Sequence, residues 1–117
     1  MASRRILKIN SLLKEVISEV IKLHVRNPNV SELLTITQVD TTQDLYHAKV
    51  YVSIIGSEDE KQKTIEALQT ASGYIGMVSS KRVVLRHFPT LTFKLDASVE
   101  HQMRIDAILK QIHEKDS

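Results

Sequence analysis

The chain contains no cysteine. A disulfide framework, a thiolate metal site and a thiol nucleophile are excluded with it. No apolar run approaches membrane-spanning length. The most telling absence is local. Between Ala67 and Leu95 there is no Asp or Glu, while Lys81, Arg82, Arg86, His87 and Lys94 fall inside the stretch with Gly73 and Gly76. A net charge of only +2 conceals this asymmetry. A small domain with acids elsewhere and none here is expected to present one positive surface region, and such a surface attracts a polyanion. Nucleic-acid binding is therefore the first functional expectation.

What is present fits one folded domain. A length of 117 residues allows a real core without staples, and 42% apolar residues argue against disorder throughout. The basic start, Arg4-Arg5, is followed by Lys8, Asn10 and Lys14 and not by a continuous apolar stretch, so it is not read as a secretory signal. A cytoplasmic protein is expected. The domain is expected to span 1–113, with 114–117 as a frayed tail.

Ser3 is placed to cap a first helix, in which Ile6, Ile9, Leu13, Val16, Ile17 and Val20 recur at steps of three and four. Its first turn is basic, the wrong sign for the helix dipole. Asn27-Pro28-Asn29 should end it. Leu33 to Val39 reads as a strand. Ala48, Val50, Val52 and Ile54 alternate with Lys49, Tyr51 and Ser53, a half-buried second strand. The polar turn Thr41-Thr42-Gln43-Asp44 joins the two as an antiparallel hairpin. Ser57 to Glu60 has the spacing of a capping box, and Ile65, Leu68, Ile75 and Val78 continue a helical period. Gly73 and Gly76 interrupt that period, so two helices, or one bent near Gly73, are expected. Leu91, Phe93 and Leu95 mark a third strand after Pro89. Ser98 opens a last helix through Val99, Met103, Ile108 and Ile112. The order, α-β-β-α-(bend)-α-β-α, implies an α+β domain with a three-stranded sheet covered by helices on one face.

Enzyme chemistry has little support. His24, His47, His87, His101 and His113 show no metal-ligand spacing, and no nucleophile elbow or Walker-type phosphate loop is present. Asp40 and Asp44 flank a turn and are read as backbone caps. No metal and no cofactor is expected. The basic segment offers more. Arginine grips phosphate with a bidentate fork, and helix N-termini and glycine turns add backbone N–H donors. A bend at Gly73 would expose such donors. Tyr74 could stack on a base, although an aromatic at its helical position is more often a core residue.

The sequence resembles the bacterial ribosome-binding factor A family, which carries a type II KH-like fold. The matching stretches are 34–39, Asp44-Leu45 with 48–53, Ala71-Ser72-Gly73-Tyr74-Ile75, and 85–93 running into Asp96 and Ser98. The likeness extends from about Arg5 to about Leu109. It implies a non-enzymatic assembly factor that binds the immature small (30S) ribosomal subunit, contacts its 16S rRNA and promotes processing and maturation, notably in the cold. It also implies that the usual G-x-x-G loop is replaced by an Ala-x-Gly bend, which Ala71-Ser72-Gly73 fits. Family members commonly carry a basic residue where this chain has Gly76, so the expected phosphate contacts shift toward Lys81, Arg82 and Arg86. The full expected RNA-binding set is Arg4, Arg5, Lys8, Ala71, Ser72, Gly73, Lys81, Arg82, Arg86 and Lys94, in a monomer with no membrane partner. Two alternatives stand beside it. One is a generic KH-like binder of mRNA or small RNA. The other is a protein-interaction domain that docks through the wet sheet face of Lys49, Tyr51 and Thr92.

Overall fold

The computed structural model describes residues 3–25 and 34–96. They form α1 (Arg4–His24), β1 (Leu34–Thr41), β2 (His47–Ile54), α2 (Glu58–Thr70), α3 (Ser72–Ser80) and β3 (Thr90–Leu95). The helix expected from Ser98, the tail from Glu114 and the stop at Asn27-Pro28-Asn29 lie outside the described residues.

Helix α1 begins as its residues demand. The Ser3 hydroxyl accepts the Ile6 N–H at 3.2 Å, which satisfies one of the orphan donors of the first turn. The whole predicted apolar stripe is buried, together with Ile21. Helix α2 starts in the same way: Ser57 accepts the Glu60 N–H at 3.2 Å, and Glu58, Asp59 and Glu60 supply the acids that the dipole favours.

β1 and β2 pair antiparallel, while β3 returns parallel to β2. The order β1-β2-β3 puts β2 in the centre of a mixed sheet. A parallel return needs a crossover, and α2 and α3 provide it. α1 packs on β1, and α2 and α3 pack on β3. Their buried faces meet Val50, Val52, Leu91 and Phe93 through Leu13, Ile17, Leu68 and Ile75. A register shift between Ile36 and Gln38 changes the phase of β1. Ile36 faces the core before it, Val39 and Thr41 after it. One extra residue does this because side chains alternate with a period of two. Thr37, at the shift, donates its hydroxyl to Asp96 Oδ2 at 2.5 Å and so ties β1 to the end of β3.

The two expected helices are present, and the break between them falls at Ala71 (φ −87°, ψ 3°), the first residue of the expected bend and two residues before Gly73. Gly73 lies inside α3 without a positive φ, and a Cβ there would meet nothing within 4 Å. Neither conformation nor crowding inside the protein requires a glycine at this position. Gly76 also lies within α3, where a Cβ would touch the Phe88 ring at an ordinary 3.7 Å. Leu95 is 37% exposed, because it stands at the strand's end, outside the cluster that covers Leu91 and Phe93.

Candidate nucleic-acid interface

Three segments distant in the chain meet at the N-terminal end of α1. On α1 itself, exposed Arg4, Arg5 and Lys8 line a shallow groove with Leu12, and Val84 and Leu85 from the α3–β3 loop complete it. Exposed Arg86 and His87 follow directly. The third segment is the tip of the β1–β2 hairpin. Its Tyr46 ring lies 4.7 Å from the His87 ring at a 55° tilt. The Tyr46 carbonyl accepts the Thr90 N–H at 2.8 Å, and Asn10 Oδ1 on α1 accepts the Thr41 N–H at 3.0 Å. These bonds lock the hairpin tip to both other segments.

The hairpin tip owes its shape to Asp44. Its carboxylate accepts the Thr42 hydroxyl at 2.6 Å and the Tyr46 N–H at 3.0 Å. The Thr42 bond, followed by the Tyr46 bond, holds the Asp44 carboxyl below the usual carboxylate range. Asp44 therefore caps the turn, as its position suggested. Leu45 takes a left-handed φ of 65°, a conformation uncommon for a residue with a side chain. Among the described residues no group of three His, Asp or Glu side chains could hold a metal ion.

The remaining predicted cations do not join this cluster. Lys81 is exposed beyond the end of α3. Arg82 places one guanidinium nitrogen 3.3 Å from Glu19 and another 3.0 Å from His24 Nε2. Glu19 lies eleven positions beyond Lys8, about 16 Å along α1. The stretch free of acids in sequence thus acquires one in space, supplied by another helix. Lys94 is elsewhere again. It alternates with buried Phe93 and sits beside Tyr51 in register, on the sheet face that also carries exposed Lys49 and Thr92.

The Ala71-Ser72-Gly73 bend offers backbone and little else. No side chain caps the start of α3. Gly73 and Tyr74 are both exposed, with Tyr74 47% accessible. This corrects the reading of Tyr74 as a core residue. The inward side of α3 is taken by Ile75 and Ser79, which leaves Tyr74 on the outer flank. The Tyr46–His87 pair had no local signature, because its two residues are joined only by the tertiary arrangement.

Comparison with known proteins adds an independent line. The family model described as ribosome-binding factor A matches residues 5–109. Ribosome-binding factor A of Protochlamydia amoebophila is 56% identical over 112 residues, covering 96% of this chain and 86% of that protein. The crystal structure of ribosome-binding factor A from Thermus thermophilus superposes with a TM-score of 0.68 at 26% identity, over 77% of this chain and 94% of that one. A homology model of the Thermus thermophilus factor, fitted into the cryo-EM map of its complex with the 30S subunit, gives a TM-score of 0.60 at 26% identity, over 73% of this chain and 88% of that one.

Proposed function

The chain belongs to the ribosome-binding factor A family, and from that premise we propose that it binds the small (30S) ribosomal subunit through the 16S rRNA. It then assists processing and maturation of that RNA, in the cold as well, without acting as an enzyme. The observation that carries the reading is the convergence of Arg4, Arg5 and Lys8 with the loop that leads into Arg86. These four side chains are the main phosphate contacts. Flexible cations at the end of a helix suit a phosphodiester backbone, which demands charge and reach more than exact shape.

Ala71, Ser72 and Gly73 contribute differently. The open space over Gly73 lets an RNA strand approach the first-turn amides of α3 closely, with the helix dipole favouring its negative charge. Lys81 and Lys94 add charge from outside the main cluster. Arg82 first has to release Glu19, so its contribution to RNA is smaller. The protein works as a monomer in the cytoplasm and acts by occupancy. It binds one rRNA arrangement better than others and leaves when that arrangement is lost. The fitted 30S complex of the Thermus factor supports a subunit partner over a free mRNA.

Sedimentation of cell lysate at low salt tests the reading. The protein is expected to travel with free small subunits and to leave them as salt rises. Recovery with mRNA or small RNA instead of precursor rRNA would reject it.

A further inference from the structure

We infer that Tyr46 and His87 form a stacking platform for one unpaired nucleobase of the bound RNA, with Arg86 positioned for the adjoining phosphate. This deepens the reading above and rests on it. The hairpin tip has the properties of a preformed aromatic contact. Tyr46 is held at both backbone groups, its N–H by Asp44 at 3.0 Å and its carbonyl by Thr90 at 2.8 Å. Its ring lies 4.7 Å from that of His87, yet the residue remains 55% exposed. A half-exposed aromatic normally gains by turning its ring onto nearby apolar surface. Here Tyr46 follows directly on the left-handed turn at Leu45, φ 65°, and stays exposed.

A ring whose backbone is already held at both polar groups loses less conformational entropy when a ligand covers it than one on a free loop. Ligand chemistry follows from the neighbours. Arg86 adjoins His87 in the chain, and Arg4, Arg5 and Lys8 stand across the groove from Val84 and Leu85. A flat π-face beside a cluster of cations matches a base and its phosphate, since every base has a face to stack and every nucleotide a charge to neutralise. An acidic peptide would satisfy the cations but leave the ring faces without a planar partner.

The test is equilibrium binding of wild type, Tyr46→Phe and Tyr46→Leu to purified free small subunits across a salt series. Tyr46→Phe keeps the ring and should bind within about twofold of wild type. Tyr46→Leu keeps apolar bulk without a π-face and should weaken binding about 5- to 150-fold. The dependence of log affinity on log salt should be the same for all three, because no phosphate contact is removed. Leucine binding as tightly as tyrosine, with wild-type affinity still steeply salt-dependent, overturns the platform and leaves the RNA-binding reading intact. A wild type with no salt-dependent subunit binding overturns both. A photoreactive p-benzoylphenylalanine in place of Tyr46 gives a second measurement. Crosslinks to rRNA support the platform, and crosslinks to a ribosomal protein alone overturn it.

Discussion

The Gln69 side chain closes the outer edge of β3 at Phe93. Its Oε1 accepts the Phe93 N–H at 3.0 Å, and its Nε2 donates to the Leu91 carbonyl at 3.4 Å. A carboxamide carries the same donor and acceptor as a peptide unit, so Gln69 replaces one link of a neighbouring strand. β2 occupies the other side of β3, and an uncovered edge would be free to pair with a second molecule. Gln69→Ala should therefore lower stability by about 1 kcal/mol and increase self-association. Urea unfolding and sedimentation velocity read the two effects, and an unchanged urea midpoint would count against the role.

Leu91 is 2% exposed and Leu95 is 37% exposed on the same strand. Leu91→Ala should cost about 2–5 kcal/mol, the range for a buried leucine. Leu95→Ala should cost far less, nearer about 0.5 kcal/mol. Equal losses at the two positions in denaturant titrations would show that the core assignment of β3 is wrong.

Gly73 separates stability from binding. A Cβ at this helical position meets open space, so Gly73→Ala should raise stability by roughly 0.5–1 kcal/mol. The same methyl group would stand between the helix and a closely approaching RNA strand, so subunit affinity should fall. A variant that melts higher and binds as well as wild type would remove Gly73 from the interface.

The two groups of cations should behave differently. Neutralising Arg4, Arg5 and Lys8 to glutamine should weaken subunit binding and reduce the log–log salt slope by about 2, at roughly 0.7 per phosphate contact on single strands. Arg82→Gln removes a side chain already facing Glu19 and His24, so its slope should change less. A larger effect from Arg82 alone would move the interface to the far end of α1.

Asp44 sets the acid limit of the hairpin tip. Its carboxyl is held below its ordinary value in the folded protein, first by Thr42 and then by Tyr46. A depressed folded value contributes stability that is present above the unfolded value, about 3.9, and is lost as pH falls through the folded one. NMR titration should place the Asp44 midpoint below about 3.9. Protection of the Tyr46 N–H from exchange should decline over the same range, and Asp44→Asn should abolish that decline. A midpoint at or above the ordinary value would mean that the cap does not form.

Much of this architecture was legible before any coordinates, because it is written in short-range patterns. The stripe from Ile6 to Val20, the caps at Ser3 and Ser57 and the alternation from Ala48 to Ile54 each depend on residues within a few positions of one another. Helical and strand periods make such patterns readable from the chain. The β1 register shift was not readable, since it is defined against β2 and no residue type between Ile36 and Gln38 demands it. The sequence located the helix break only to within the Ala71-Ser72-Gly73 bend. Glycine permits a bend without requiring one, and the break stands at Ala71, where no side chain caps the next helix.

The residue pattern by itself determined an α+β domain with one acid-free stretch, from which a polyanion partner is expected: both features are read along the chain without knowing which segments meet. Which cations share a surface was decided only by the packing of α1 against the sheet and the α3–β3 loop. That packing brought Arg4, Arg5 and Lys8 to Val84 and Leu85, set Glu19 beside Arg82, and left Lys94 on another face. Charge is a property of a residue, but a charged surface is a property of neighbours, and neighbours far apart in the chain are chosen by how the core closes.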